Sequence, residues 1–386
     1  MTLDLTKLGA RLRAMGEHLS ASRESRQIRL DRAHQYFAAS ARDWEQLATE
    51  ARRGAGSSAA PLEPLDDVRP QPTIPAAYEV LATDGSTIEP DRHGPAMCAV
   101  INVGHVRIRY GVTPMAQLGS TPRLLFLPDE LYVRQGERRV LLGERLLDAW
   151  RSVEEMSALS ELGDDAEAGG LPRVALADGL LTIWRQDWAA ADAETVTAQF
   201  QAALDSIASR KLPLAAYVSN PRSHWVVDLL RQHAGCGVGG QTACSLSCRA
   251  GECTLDGLID LDLFAHLRPG DRSARFEVVG RDADRYGHDN RSHFFYLNVG
   301  REIARLEVPG WVARDAEALD TIHAVVCDQT ERGLGYPIAL ARAHEQAVIT
   351  VADRRAFRQL VVEALTRAGL PVSASEKQIS KNMRAV

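Results

Sequence analysis

The sequence predicts an α/β fold in which a mixed β-sheet is flanked by helices, with a helical arm at the N-terminus. Between residues 78 and 142, short apolar runs follow one another closely, as in hairpins. From residue 143 onward, helical segments alternate with short buried strands. Hairpins give antiparallel strand pairs and β-α units give parallel ones, so the two patterns together predict a mixed sheet.

The composition is that of a globular protein. The chain has 386 residues, of which 45% are hydrophobic and 25% charged. It contains no apolar run long enough for a membrane span and no basic-then-apolar leader, so we expect a cytoplasmic protein. A net charge of −6 argues against general coating of nucleic acid but is compatible with a local basic groove.

Three regions follow from the local patterns. Residues 1–53 are expected to form a helical arm, because apolar side chains recur there on one helical face. These side chains are Leu8, Leu12, Met15 and Leu19. Residues 54–77, rich in glycine, serine and proline, are expected to be a linker. Residues 78–386 are expected to form the main domain, with a cysteine- and glycine-rich insertion at 235–257.

The main domain begins with a predicted buried strand that ends at Asp84. Val80 to Ala82 are apolar, and the turn-forming tripeptide Asp84-Gly85-Ser86 follows them. The next two strands, 97–103 and 105–110, are predicted to pair around a turn at Gly104. A single Asp-Gly-Ser is most often an ordinary turn, so a functional role for Asp84 requires support from other residues of the chain.

A second buried strand ends in the same way. Val174 to Ala177 are apolar, and Asp178-Gly179 follows. If the two strands are neighbours, Asp84 and Asp178 emerge together at one edge of the sheet. Two carboxylates so close repel each other unless a cation lies between them, and Mg²⁺ or Mn²⁺ prefers such oxygen ligands. The alternative is that each aspartate only ends a strand.

A third carboxylate is expected from the helix predicted over residues 143–162. Glu155 shares its face with Leu159 and Leu162, whereas Glu154 points to a more polar side. Glu155 is therefore the preferred candidate and Glu154 the alternative. By spacing alone, either can also be a solvated helix charge.

Tyr336 comes just before another predicted helix, and His344 lies in the last turn of that helix. Pro337 suits the first turn, and His344 lies beside the apolar face of Leu340 and Ala343. His344 is therefore either a packed core histidine or a metal ligand and proton carrier. Tyr336 either packs in the interior or donates a hydrogen bond to a phosphate.

Candidate DNA contacts lie at a strand-to-helix junction and in the C-terminal tail. Ser219 to Arg222 follow a predicted strand and open a helix, so the helix N-terminus and Arg222 can hold a phosphate, or Ser219 can simply cap the helix. Lys377 and Lys381 form the second candidate, a basic tail.

The four clustered cysteines, Cys236, Cys244, Cys248 and Cys253, raise the possibility of bound zinc or an iron–sulfur cluster. Their spacings lack the Cys-x-x-Cys pairs that typify such sites. Reduced thiols are therefore the favoured interpretation.

The order of these motifs resembles the NurA nuclease family. The resemblance rests on Asp-Gly-Ser after a strand, a helix glutamate, a strand ending in Asp-Gly-Leu-Leu, and Gly-Tyr-Pro followed by Ala-His-Glu. Two further segments are similar to the family's: Tyr217 to Ser223, with Pro-Arg at a strand-to-helix junction, and Arg305 to Trp311, with the spacing Arg-x-Glu-x-Pro-x-Trp. Together they extend from about residue 78 to the C-terminus.

The resemblance implies an RNase H-like core and a metal-dependent 5′-to-3′ DNA exonuclease with single-strand endonuclease activity. It implies a homodimer docked on a HerA-type hexameric ATPase, acting on DNA ends in break repair or in defence against foreign DNA. Asp84, Glu155 and Asp178 match the family's metal carboxylates, while Tyr336 and His344 match its tyrosine and histidine. Two Mn²⁺ or Mg²⁺ ions are the expected cofactors, with His344 a further ligand or a proton shuttle.

Two other functions remain open at this point. The chain can be a non-catalytic DNA-binding scaffold of the same ATPase assembly, or a different phosphoryl-transfer enzyme on a similar sheet. The sequence contains no Walker A motif, so ATP hydrolysis is expected from a partner.

Overall fold

The structure is a computed structural model that describes residues 5–53, 58–111, 113–135, 138–164, 170–183, 190–233 and 255–371. The candidate cysteines Cys236, Cys244, Cys248 and Cys253 lie outside the described residues, as do Lys377 and Lys381. No helix within the described ranges is both long and apolar enough to cross a membrane.

The helices begin with a 3₁₀ turn at Leu5–Leu8, and the α-helices follow in chain order. They are α1 (Gly9–Ala21), α2 (Arg23–Ser40), α3 (Trp44–Arg53), α4 (Pro128–Leu131), α5 (Glu144–Leu162), α6 (Ala190–Ser209), α7 (Trp225–His233), α8 (Asp260–Phe264), α9 (Arg281–Asp284), α10 (Gly287–Asn290), α11 (Gly310–Ala313), α12 (Ala316–Arg332), α13 (Ile338–Ala347) and α14 (Val351–Arg367).

The strands are β1 (Ser58–Pro61), β2 (Tyr78–Ile88), β3 (Ala99–Tyr110), β4 (Met115–Leu125), β5 (Tyr132–Gln135), β6 (Arg138–Leu141), β7 (Arg173–Asp178), β8 (Leu214–Val218), β9 (Phe276–Val279), β10 (Ser292–Asn298) and β11 (Ile303–Pro309). Among the described residues, nine of them form one sheet in the order β1-β9-β10-β11-β8-β7-β2-β3-β4, and β5 pairs with β6. Strand β2 is antiparallel to β3 and parallel to β7. The predicted α/β fold with a mixed sheet and N-terminal helices is confirmed, and it agrees with an RNase H-like core.

The chain divides into two compact units. The first unit comprises residues 1–70, 219–285 and 293–305, and the second comprises 71–218, 286–292 and 306–386. In the first unit, the helical arm buries Leu47 and Ala51 of α3, and Phe37 of α2 meets Phe264 edge to face at 5.7 Å. Helix α1 has no buried residue, so its predicted apolar face is exposed.

The second unit has an apolar core between the central strands and helices α5 and α6. The strand side of this core includes Leu81, Ile101 and Ala175, and the helix side includes Leu159 and Phe200, all nearly inaccessible to solvent. The valine-, leucine- and alanine-rich strands β2 and β7 are buried because helices cover the sheet.

A buried ion cluster fixes the end of α5 to the strands. Glu79 in β2, 1% exposed, lies 3.0 Å from Arg109 Nη2 and 3.1 Å from Arg173 Nε. Arg173 also donates through Nη1 to the carbonyl of Gly163, 3.1 Å away, just after α5 ends. A buried carboxylate is tolerable only when paired and hydrogen-bonded, and this one is. Its partners hold α5 in place relative to β2 and β7.

Two predictions about the first strands are wrong. Strand β2 does not end at Asp84 but runs to Ile88, and residues 99–110 form one strand, β3, rather than two around Gly104. Asp84 pairs directly with Gly104 in the β2–β3 register. The turn-forming residues stay extended because β3 pairs with β2 as far as Ile88, whereas the pairing with β7 ends at Thr83. Gly104 instead allows the close approach of helix α13.

Candidate functional site

Neighbouring parallel strands bring the two aspartates together. In the β2–β7 register Thr83 pairs with Ala177, so Asp84 and Asp178 take the next position on each strand. Paired residues of parallel strands point to the same face of a sheet. Asp84 is 7% exposed, whereas Asp178, the last residue of β7, is solvent-accessible. The predicted juxtaposition of these two carboxylates is therefore present in the fold.

Helix α5 places Glu155 over this strand pair. The Thr83 hydroxyl donates to the backbone carbonyl of Glu155 at 3.0 Å, and the Glu155 side chain is buried. The helix comes this close because residue 85 is glycine. A Cβ at Gly85 would overlap the Glu155 carboxylate and lie 2.8 Å from Cγ of Arg151. Gly85 is thus a packing requirement of the site rather than a turn residue.

Helix α13 brings His344 to Asp84. The His344 Nδ1 atom lies 2.7 Å from Asp84 Oδ2, and the other carboxylate oxygen of Asp84 accepts the backbone N–H of Gly85 at 2.8 Å. The imidazole remains 66% exposed. His344 is therefore not a packed core histidine. It contacts a site carboxylate and is also open to solvent.

The position of α13 depends on residues of β2 and β3. A Cβ at Gly104 would lie 2.5 Å from the backbone nitrogen of Ala347 and closer still to the carbonyl of Ala343. Asn102 donates through Nδ2 to the Ala347 carbonyl at 2.8 Å, and the Ser86 hydroxyl donates to the same carbonyl. These donors satisfy a carbonyl that the end of a helix leaves without a partner. They anchor the last turn of α13, which carries His344.

Tyr336 is the last of the predicted site residues that lie together. Its hydroxyl donates a hydrogen bond to the Asp178 carboxylate, and its ring meets Tyr217 of β8 edge to face at 5.4 Å. The tyrosine thus both packs on the sheet and orients a site carboxylate.

Negative charge is in excess around these three carboxylates. Loss of hydration on burial raises the pKa of Glu155 to about 7, and the charges of Asp84 and Asp178 push in the same direction. Partial loss of hydration, together with the charge of Asp84, also raises the pKa of Asp178, which the Tyr336 hydrogen bond and nearby cations partly offset. Such mutual repulsion between carboxylates favours the binding of a cation.

Arg151 is the site residue that sequence reasoning missed. It forms an ion pair with Glu155 one turn away on α5, and its Nε lies 3.6 Å from Asp148 Oδ1. The spacing of three and four residues places Asp148, Arg151 and Glu155 on one helical face. The sequence therefore contained a pattern that could have identified Arg151. The same spacing is typical of ordinary solvated helix pairs, and it does not show that Arg151 lies against the strand that bears Asp84.

The donor types at the site fit a hard divalent cation, since carboxylate oxygens and an imidazole are available. In the described part of the chain, however, no three His, Cys, Asp or Glu side chains are grouped closely enough to hold a metal ion as they are placed. Glu155 faces Arg151, and Asp84 faces His344. To bind a common ion, these carboxylates must turn away from Arg151 and His344.

The remaining candidates lie elsewhere. Glu154 is ion-paired with Arg123 and lines a cavity of about 410 Å³ with Trp150, so it does not share the surroundings of Glu155. In the first unit, Ser219 donates to Glu302 at 2.8 Å, and Arg222 is exposed. Helix α7 begins at Trp225, so the prediction that Ser219 to Arg222 open a helix is wrong.

Comparison with known protein families gives one result that bears on function. Residues 78–349 match the NurA domain. This range covers well over half of the chain and includes every residue of the site just described. A search of curated proteins finds no match for the chain.

Proposed function

Because the chain belongs to the NurA family, whose members are nucleases and generally depend on metal ions, we propose that it is a metal-dependent DNA nuclease. The proposed activities are 5′-to-3′ exonuclease and single-strand endonuclease action on DNA ends. The observation that carries the proposal is the proximity of Asp84, Glu155 and Asp178, from β2, α5 and β7, at the point where β7 ends beside β2.

In the proposed mechanism, Asp84, Glu155 and Asp178 would hold Mn²⁺ or Mg²⁺, and His344 would be a further ligand or a proton carrier. Two such ions would supply an activated water and neutralise charge on the leaving oxygen. The exposed imidazole of His344 can exchange a proton with solvent at Nε2 while Nδ1 faces Asp84. The Tyr336 hydroxyl, hydrogen-bonded to Asp178, would hold that carboxylate in place and position the phosphate.

The proposed partners are DNA and a HerA-type hexameric ATPase, with the nuclease acting as a cytoplasmic homodimer in break repair or in defence against foreign DNA. Ser219, Arg222, Lys377 and Lys381 are the proposed DNA contacts. The proposal of an ATPase partner draws on the family and on the lack of a Walker A motif in the sequence.

The test is digestion of linear DNA with Mn²⁺, with and without the ATPase. Asp84→Asn and Asp178→Asn are expected to lower the rate by about a hundredfold or more, since both remove a metal-binding charge. Asp164→Asn is the matched control, because Asp164 is exposed and ion-paired with Arg210. Circular dichroism checks folding, and strands labelled at the 5′ or 3′ end report polarity.

Two results would contradict the proposal. Folded Asp84→Asn and Asp178→Asn variants that digest DNA at the wild-type rate would exclude this site. A wild-type chain that binds DNA and the ATPase but digests nothing would instead favour the scaffold function.

A further inference from the structure

Arg151 lies within the group of site carboxylates. Its side chain crosses Gly85, because a Cβ there would lie 2.8 Å from Arg151 Cγ and 3.2 Å from Cδ. Its guanidinium is ion-paired with Glu155, and the side chain is 27% exposed. Gly85 follows Asp84 directly in β2, so the arginine stem passes beside the aspartate that anchors the site.

The charge of Arg151 acts on all three site carboxylates. Burial alone would lower the pKa of Arg151, but Glu155, Asp148 and Asp84 together raise it. The same guanidinium opposes the rise in the pKa of Glu155 and of Asp178. The permanent positive charge of Arg151 thus offsets a group of negative charges that would otherwise repel one another.

We infer that Arg151 is a built-in counter-ion, which takes the electrostatic place of the divalent cation in the metal-free protein and competes with that cation for Glu155. The inference rests on the proposed metal-dependent function of this site. A guanidinium does not lose its proton in proteins, so Arg151 can give up Glu155 only by moving. Its long side chain and its partial exposure allow such a movement.

In this role Arg151 acts through Glu155 and does not touch the substrate. The role predicts the direction in which the Mn²⁺ affinity changes when the charge of Arg151 is removed. If Arg151 competes with the metal, removing its charge strengthens Mn²⁺ binding. If Arg151 only orients Glu155 for the metal, removing it weakens Mn²⁺ binding. The two roles therefore give opposite results in a binding experiment that needs neither DNA nor turnover.

The experiment is calorimetric titration of the full chain with Mn²⁺ alone. Arg151→Met keeps much of the side-chain volume but not the charge, and it is expected to lower the Mn²⁺ dissociation constant about tenfold. Arg151→Lys keeps a positive charge and is expected to bind Mn²⁺ nearly as the wild type does. Arg145→Met is the matched control, since Arg145 is an exposed arginine of the same helix.

A second readout is thermal unfolding. Metal-free Arg151→Met is expected to melt below the wild type, because its carboxylates lose their counter-ion. Mn²⁺ should then raise its melting temperature by more than it raises that of the wild type, because ligand binding to the folded state alone stabilises it.

The outcomes separate the inference from the proposed function. Unchanged or weaker Mn²⁺ binding by Arg151→Met, while Asp84→Asn abolishes binding, would overturn the counter-ion role and leave the metal site standing. Mn²⁺ binding that Asp84→Asn does not affect would overturn the proposed site itself, and the inference with it.

Discussion

His344 and Asp84 are 260 residues apart in the chain, yet His344 Nδ1 lies 2.7 Å from Asp84 Oδ2. The contact joins the last turn of α13 to β2. It exists because Gly104 lets the helix backbone approach the sheet and because Asn102 and Ser86 bind the final carbonyl of that helix. A histidine in this position has one nitrogen against a site carboxylate and the other available to solvent or substrate.

Replacement of His344 is expected to affect function far more than folding. His344→Ala removes a 66% exposed side chain, so we expect the free energy of unfolding to change by less than about 1 kcal/mol. Mn²⁺-dependent digestion of linear DNA should fall by about a hundredfold, the usual contribution of a proton carrier. His288→Ala is the control, because His288 is likewise exposed and lies 3.8 Å from a carboxylate, Asp289. Equal losses of activity in both variants would contradict the assigned role.

Gly104 is expected to tolerate no side chain. In Gly104→Ala the new methyl group meets the backbone of α13 at Ala343 and Ala347, and neither can rotate away. We expect a loss of about 1–3 kcal/mol in the free energy of unfolding by urea, together with lower nuclease activity as His344 shifts. Gly16→Ala in α1, where an added Cβ meets nothing within 4 Å, should retain wild-type activity. A fully active and stable Gly104→Ala variant would show that α13 is not tightly seated.

The stability of the metal-free protein is expected to fall as the pH rises from about 4.5 to about 7. The pKa of Glu155 is raised in the folded state, so in this range the folded protein keeps a proton that the unfolded chain has released. Folding is therefore favoured at low pH, and each pH unit costs up to about 1.4 kcal/mol. Glu155→Gln should flatten this dependence, whereas Glu154→Gln should keep it. The measurement is urea unfolding in the presence of a chelator across this pH range. Equal pH dependence of the free energy of unfolding in the wild type and in Glu155→Gln would refute the prediction.

Glu307 is expected to support the loop that follows Asp178. This glutamate is 1% exposed and accepts the Leu181 N–H at 2.9 Å and the Ser292 hydroxyl at 3.0 Å. Glu307→Ala leaves both donors without this acceptor, and we expect a loss of about 3 kcal/mol in the free energy of unfolding. Glu307→Gln retains an acceptor oxygen and should lose less. The order of the two variants in urea unfolding is the test, and a more stable alanine variant would contradict it.

Much of the second unit could be predicted from local patterns. The apolar run before Asp178 predicted a strand with that residue at its end, and β7 ends there. The periodicity around Glu155 separated it from Glu154, and in the structure Glu155 is buried near the aspartates while Glu154 pairs with Arg123. Such patterns succeed because burial on one face of a helix or strand leaves a fixed period in the sequence.

Local rules failed where several elements meet. Asp84-Gly85-Ser86 has turn chemistry, but pairing with β3 keeps it in a strand, and Gly85 allows the close approach of α5. Gly104 likewise marks close packing by α13 rather than a turn. A glycine required by a neighbouring helix cannot be distinguished in a sequence from one required by a turn, because both need only the absence of a Cβ.

The sequence by itself determined the α/β class, the family and the residue types of the site, because these depend on composition, periodicity and the order of motifs. Only the tertiary structure decided which charges face one another. Arg151 is ion-paired with Glu155, and both lie against Gly85, the residue after Asp84, while His344 of α13 contacts Asp84 itself. Those contacts depend on how closely two helices approach one strand pair. The close approach of α5 is set by Gly85 and that of α13 by Gly104.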